Sequence, residues 1–407
     1  MTRLALLGIA ALLVAACQDD RVAGPSASGS AASVEDLQMT REPGGGGNLP
    51  AFGARGLRVM TYNLYLGTDL GPIMSASDPQ SFLAAAGRAY AELQQTDFPA
   101  RAGTIADQIA RVRPDVLGIE EVALWSVSAP FDPTGDGSPS APFVVQYDFL
   151  TILLKALRAR GLEYVAAAAD TTSDVTAPAP TAFDASGNPA AFALVRFQDR
   201  DAVLVRAGVA YRDPRHTVYQ TYLPLDMLGT PTGISNGWSS VRATVGGQTF
   251  RFVATHLNAE DGPVNAAQAQ ELLAALRNET LPVVLVGDFN SGPGVTGEFA
   301  GTYGLLTGGG FRDLWPLAHP SAPGLTNGPQ DGVGSLNAAG VLVPWPRLDF
   351  TTRVDLVLLK DALGVPQPVS AAIFGDLPRD RTAKGLWPSD HAAVGMVFSL
   401  PERAARR

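Results

Sequence analysis

The chain has 407 residues, 46% of them apolar and 17% charged, which excludes disorder and leaves room for one large buried core or two modest ones. Thirty Lys and Arg against 39 Asp and Glu give a net charge of −9. That balance disfavours a dedicated nucleic-acid-binding protein, although an enzyme that cuts phosphodiesters at a local site stays open.

The first segment is a secretory signal: Arg3 supplies the positive start, and Leu4 to Ala16 is an apolar run too short to span a bilayer. It ends in Val14-Ala15-Ala16-Cys17, small residues before the chain's one cysteine, which resembles the lipobox of bacterial lipoproteins. Residues 1–17 are therefore read as a lipoprotein-type signal peptide with Cys17 as the lipidation site. After processing no thiolate ligand is left, so a catalytic metal would rest on oxygen and imidazole donors. Residues 18–55, rich in Gly, Ser, Ala and Pro and without an apolar period, read as a flexible tether. A folded domain is expected over 56–401.

Within it, 57–63 reads as a strand. Residues 101–113 place Ile105, Ile109 and Val112 at helical spacing, and Pro114 stops that helix. Residues 115–122 read as a buried strand and 148–160 as a helix with Leu150, Leu153, Leu154 and Leu157 on one face. Residues 238–245 and 249–256 flank Gly246-Gly247 as a hairpin. A helix starts at Pro263 and runs to about Asn278. Strands follow at 281–286, 353–359 and 392–400. Residues 125–145, 170–190 and 316–346 read as loops, and His216 and His319 fall in loop-like stretches. Helices mixed with hairpins and buried strands predict an α/β (α+β) fold with a mixed sheet.

Polar residues gather at the strand ends. Asn63 closes the first strand, Glu120-Glu121 the second, and Thr255-His256 a third. Gly287-Asp288-Phe289-Asn290 follows an apolar run, Asp355 opens another, and Asp390-His391 precedes the last. Each alone could be a cap or turn. Together they supply the carboxylates, amides and imidazoles that metal-assisted attack on a phosphate ester needs. Oxygen-rich donors favour Mg²⁺ or Mn²⁺. Glu120 is expected to face solvent. Asp355 and His391, each where the chain enters a strand, are expected to meet on strands of one sheet.

These blocks, in order Thr61-Tyr62-Asn63-Leu64, Pro114 to Val122, Ala254-Thr255-His256-Leu257, Gly287 to Asn290, Arg353-Val354-Asp355 and Pro388-Ser389-Asp390-His391, resemble the signatures of the endonuclease/exonuclease/phosphatase superfamily. The resemblance implies a four-layer sandwich, two mixed β-sheets packed face to face with helices on the outside. It implies Glu121, Asn63 and Asp390 at the metal, Asp288 acting on water with Asn290 beside it, His256 at the phosphate, and His391 oriented by Asp355. Glu120 stands where the family commonly has Gln. Substrate-contacting blocks are indistinct; residues 200–203 and 236–238 occupy their approximate places.

The sequence thus points to an exported, membrane-anchored, metal-dependent phosphoester hydrolase, periplasm-facing or at the cell surface and expected to be monomeric. Its substrate is a nucleic acid, a phospholipid or a small phosphoester. An extracellular endonuclease and a sphingomyelinase-like enzyme are the competing forms, with Trp125, Trp345 and Trp387 as candidates for an exposed aromatic hairpin in the latter. A non-catalytic surface-binding lipoprotein is the alternative of another class. Cys17→Ser should release the protein from membranes in cell fractionation; an unchanged membrane fraction with the same processed N-terminus would refute the lipobox.

Overall fold

Along Val283-Val284-Leu285-Val286, successive side chains enter two different cores: Val284 and Val286 pack inside the sandwich, Val283 and Leu285 under the outer helices. Both faces of such a strand are covered, which explains why it reads as an unbroken apolar run rather than an alternating one. The first strand behaves likewise, with Val59 facing inward and Met60 and Tyr62 outward.

The computed structural model describes residues 56–400, except 134, 136, 185–187, 229, 362–363, 365 and 367–368. The signal, Cys17 and the tether lie outside the described residues. One six-stranded sheet runs β19 (Val369–Phe374), β20 (Ala393–Phe398), β1 (Leu57–Asn63), β2 (Val116–Glu120), β8 (Ala202–Arg206), β5 (Tyr164–Ala169). The second runs β15 (Arg312–Asp313), β18 (Asp355–Lys360), β14 (Val283–Asp288), β13 (Gln248–His256), β12 (Gly237–Val245), β9 (Ala210–Val218). In each sheet one central pair is parallel, β1 with β2 and β13 with β14, and the other pairs are antiparallel. Phe250, Phe252, Met396 and Phe398 fill the space between the sheets. Outside the first sheet lie α2 (Pro79–Gln95), α3 (Phe98–Val112) and α4 (Phe149–Arg158), after the short α1 (Gly71–Met74); outside the second lie α5 (Gly262–Leu276) and α6 (Ala300–Gly308). This is the four-layer sandwich that the resemblance implies. Among the described residues no helix is long and apolar enough to cross a membrane.

Three readings need correction. The stretches 125–145 and 170–190, read as loops, build much of a third sheet in the order β4 (Val144–Asp148), β3 (Leu124–Ser128), β7 (Pro189–Asp199), β6 (Ser173–Phe183). β4 has no fully buried residue, and β6 and β7 bury only part of their length, so they carry no sustained period. Pro178 and Pro180 are tolerated because β6 pairs on one side only, leaving its other edge without ladder bonds to lose. Helix α2, capped by the Asp78 carboxylate, was not anticipated because its inward face is mostly alanine. His216 lies in strand β9 rather than a loop. The stretch 316–346, also read as a loop, holds the hairpin β16 (Gly334–Leu336) with β17 (Leu342–Pro344), and β10 (Leu223–Met227) pairs with β11 (Thr230–Ile234) as a further hairpin.

The two sheets pack tightly at Gly118. A Cβ there would lie 2.7 Å from Val286 Cγ2 and 2.9 Å from Ala254 Cβ, both on the opposite sheet. Gly118→Ala should therefore cost about 1–3 kcal/mol by overpacking and lower the Tm in a thermal melt. An unchanged Tm would show that the sheets are farther apart than this.

Candidate functional site

Inner-face alternation turns polar at one end of the sandwich. On β14 the inward series Val284, Val286 continues to Asp288, and on β1 Val59, Thr61 continues to Asn63. Register then sets the neighbours: His256 pairs with Asp288 across β13–β14, and Asp288 with Asp355 across β14–β18. In the other sheet Asn63 pairs with Glu120. The two ends meet where Asn63 Nδ2 donates to Glu121 Oε1 at 2.9 Å and, across the gap between sheets, to Asp288 Oδ2 at 3.1 Å.

His391 enters from the segment before β20. Its Nδ1 lies 2.9 Å from Asp355 Oδ2, and its Nε2 lies 3.6 Å from Asp288 Oδ2 and 2.9 Å from the Asn327 side-chain amide. Burial alone would lower the His391 pKa, but the carboxylates of Asp355 and Asp288 outweigh it and hold the pKa well above the usual histidine value. Asp355 and His391 therefore do meet, but from opposing sheets and not from neighbouring strands of one sheet. On the other flank, Asn290 Nδ2 donates to Leu257 O at 2.9 Å and lies 3.3 Å from His256 Nε2. Asn290 N–H donates to Asp288 Oδ1 at 2.9 Å. Asp390 accepts from the Gly332 N–H at 2.9 Å.

Glu120 does not face solvent. It is fully buried on the inner face of β2, and the Thr61 hydroxyl lies 3.1 and 3.2 Å from its two oxygens. Burial, with Asp355 and Asp288 nearby, pushes its pKa well above the usual carboxylate value, which favours the protonated form. Glu121 leaves the strand at φ +56°, a strained conformation for a non-glycine, and so turns into the cleft. There its Oε2 accepts the Leu66 N–H at 2.7 Å, and burial pushes its pKa up to about 7. Behind it, Asp201 Oδ1 accepts the Glu121 N–H at 3.4 Å, and Asp201 N–H donates to Asp170 Oδ1 at 3.0 Å. Asn327 and Asp170 were missed, and Asp201, within the 200–203 stretch read as substrate-contacting, instead supports Glu121 from behind. Asn327 sits in a Thr-Asn-Gly stretch that reads as a turn, and the two aspartates cap short strands whose ends carry no motif.

Glu121, His256, Asp288, Asn290, Asp390 and His391 open onto one cavity of about 520 Å³, with Asn63 and Asp355 buried beneath it. Seven carboxylates line this cavity, those of Asp69, Glu121, Asp199, Glu260, Asp288, Asp331 and Asp390, and none of its lining residues is Lys or Arg. The nearby Arg101 is buried and spends its guanidinium on the carbonyls of Leu64, Tyr65, Thr96 and Pro388. Asp288, Asp355 and His391 present ligand atoms within 4.8 Å of one another, and Asp355 Oδ1 is buried without a partner. Trp125 and Trp387 are buried and so form no exposed aromatic hairpin; Trp125 Nε1 donates to Leu66 O.

The model of the Endonuclease/Exonuclease/phosphatase family matches residues 60–391. No curated protein matches. Among solved structures, TDP2 of D. rerio complexed with a single-strand DNA product is 16% identical, with 85% of this chain and 99% of that chain covered and a TM-score of 0.46. TDP2 of C. elegans is 17% identical, with 87% and 77% covered and a TM-score of 0.45. A mannosyl-6-phosphatase of Bacteroides thetaiotaomicron is 15% identical, with 84% and 100% covered and a TM-score of 0.45.

The buried acids behind Glu121 make stability depend on pH. Burial pushes the Asp170 carboxyl up to about 7, above the unfolded value of about 3.9. A raised folded pKa stabilises below the unfolded value, and that contribution is lost as pH climbs from about 4 to about 7. In urea unfolding with EDTA, wild type should lose stability relative to Asp170→Asn across that window. Parallel profiles would show that Asp170 ionises normally.

Proposed function

The chain belongs to the endonuclease/exonuclease/phosphatase family, whose members hydrolyse phosphate esters, and on that premise we propose that it is a divalent-metal-dependent phosphodiesterase. The reading is carried by one observation: His256, Asp288 and Asp355 stand at paired positions of three adjacent strands and face Asn63, Glu121 and His391 across the end of the sandwich. The donor set suits a hard cation. It places the carboxylates of Glu121, Asp288 and Asp390 on one cavity with no opposing Lys or Arg. Glu121, Asn63 and Asp390 would hold Mg²⁺ or Mn²⁺, which when bound offsets charge developing on the phosphate oxygens.

The chain's own groups then divide the remaining work. Asp288 orients the attacking water and takes its proton. His391, kept charged by Asp355, presents Nε2–H to a phosphate oxygen. His256 and the amides of Asn290 and Asn327 supply further polar contacts around the same phosphate. We further propose that the enzyme is exported and monomeric, held to a membrane through a lipid on Cys17 and the tether of residues 18–55.

The test is hydrolysis of bis(4-nitrophenyl) phosphate by the purified chain. EDTA should abolish it and Mg²⁺ or Mn²⁺ restore it; activity that survives chelation would overturn the reading. His391→Ala and Asp355→Ala should each cost about 10² to 10⁴ in kcat. The double variant should be little worse than His391→Ala, because the two act as a unit. Glu121→Gln should raise the metal concentration needed for half activity. Glu120→Gln should change it little, since burial already favours the protonated form of Glu120.

A further inference from the structure

One wall of the catalytic cavity has no use in the chemistry above. Beyond His256 and Asp288 the same 520 Å³ space runs along Ile73, Trp125, Val175, Val195, Leu225 and Ile234. These come from α1, three strands of the third sheet and both strands of the β10–β11 hairpin. A cavity of this size that joins apolar side chains to the polar groups of the catalytic site has the character of a small-molecule site. Its charge argues against a polynucleotide. A nucleic-acid groove positions successive phosphates with Lys and Arg, whereas here seven carboxylates line the space with neither.

We propose that this wall is a subsite for the hydrocarbon portion of an amphiphilic phosphodiester, so that the substrate is a lipid phosphodiester rather than a nucleic acid. The proposal rests on the phosphodiesterase reading above. One phosphate occupies the polar end, and the alkyl or acyl chain attached to it lies along Val175, Val195, Leu225 and Ile234. Burying that chain favours substrates in proportion to the apolar area covered. In the reaction, the water oxygen bonds to phosphorus as the P–O bond to the leaving alcohol breaks. One water proton goes to the alcohol, and a phosphomonoester remains.

A series of alkyl 4-nitrophenyl phosphates, from methyl to hexyl, tests the subsite while keeping one leaving group. With Mg²⁺ or Mn²⁺, kcat/KM should rise about three- to fourfold per methylene until the cavity is filled. Leu225→Asn/Ile234→Asn should flatten that dependence, and Val341→Asn, at an exposed apolar residue outside the cavity, should leave it intact. Dihexanoylphosphatidylcholine should be cleaved with a kcat/KM at least about tenfold above that of an octathymidylate, the factor about two buried methylenes supply. Hydrolysis that ignores chain length, or a preference for the oligonucleotide, overturns the subsite and leaves the phosphodiesterase standing. No hydrolysis of any ester in the series with either metal overturns both.

Discussion

Carboxylates crowded at one end of a sandwich are the constraint to which the rest of the site answers. Glu120, Asp288 and Asp355 share the inner face there, with Glu121 and Asp390 just above, and no Lys or Arg lines the cavity. Like charges in a partly dry space repel strongly, so each acid needs its own relief. Burial shifts Glu120 toward its protonated form; Asp355 holds the His391 ring at Nδ1; Asp288 and Glu121 share the Asn63 amide. Backbone N–H groups of Leu66, Asn290 and Gly332 serve Glu121, Asp288 and Asp390. These donors still leave a net negative site, the condition under which a divalent cation and then a phosphate are attracted together.

That crowding is imposed by the sheets. A parallel pair in the middle of each sheet brings two strand ends to the same edge, and covering both faces leaves only the ends open to polar groups. The approach depends on residues without a side chain: a Cβ on Gly118 would strike the opposite sheet, and one on Gly287, at φ +145°, would lie 1.8 Å from the Thr255 carbonyl oxygen. Arg101 closes the arrangement. Its buried guanidinium binds the carbonyls of Leu64 and Tyr65, just after Asn63, and of Pro388, just before Asp390 and His391. One cation thereby fixes two site-bearing segments that are far apart in sequence.

The polar strand ends were legible because each borders an apolar run that is buried on both faces, and that contrast survives in one dimension. What lay beyond reach was which face a residue takes and which sheet its strand joins. Glu120 and Glu121 are adjacent, yet one is buried and the other turned into the cleft, because Glu121 adopts a left-handed conformation that its sequence does not announce. Asp355 and His391 meet across two sheets rather than within one, a fact of packing and not of spacing. The third sheet is hard to read in one dimension because β4 is exposed or half-buried throughout and β6 and β7 bury only part of their length. Asn327 looked like any Asn-Gly turn, and only tertiary contact sets it against His391.

The division between what could and could not be read follows how tightly each part is constrained. Residues at the polar end are held by register on both sides, so a change at Asp288 disturbs His256, Asp355, Asn63 and Asn290 together. The β10–β11 hairpin contributes nothing to the four buried clusters, and Leu225 and Ile234 are only half-buried. Altering such residues removes little packing energy, whereas a buried Leu or Ile of the sandwich costs about 2–5 kcal/mol when truncated. Under the proposed subsite, the hairpin's share of the wall is thus built from an element the fold can cheaply change, whereas Trp125 and Val195 belong to the buried core. The end that touches the phosphate is built from elements the fold cannot cheaply change. On the proposed reading, a chain of this kind can shift what it cleaves, through the β10–β11 hairpin, without shifting how.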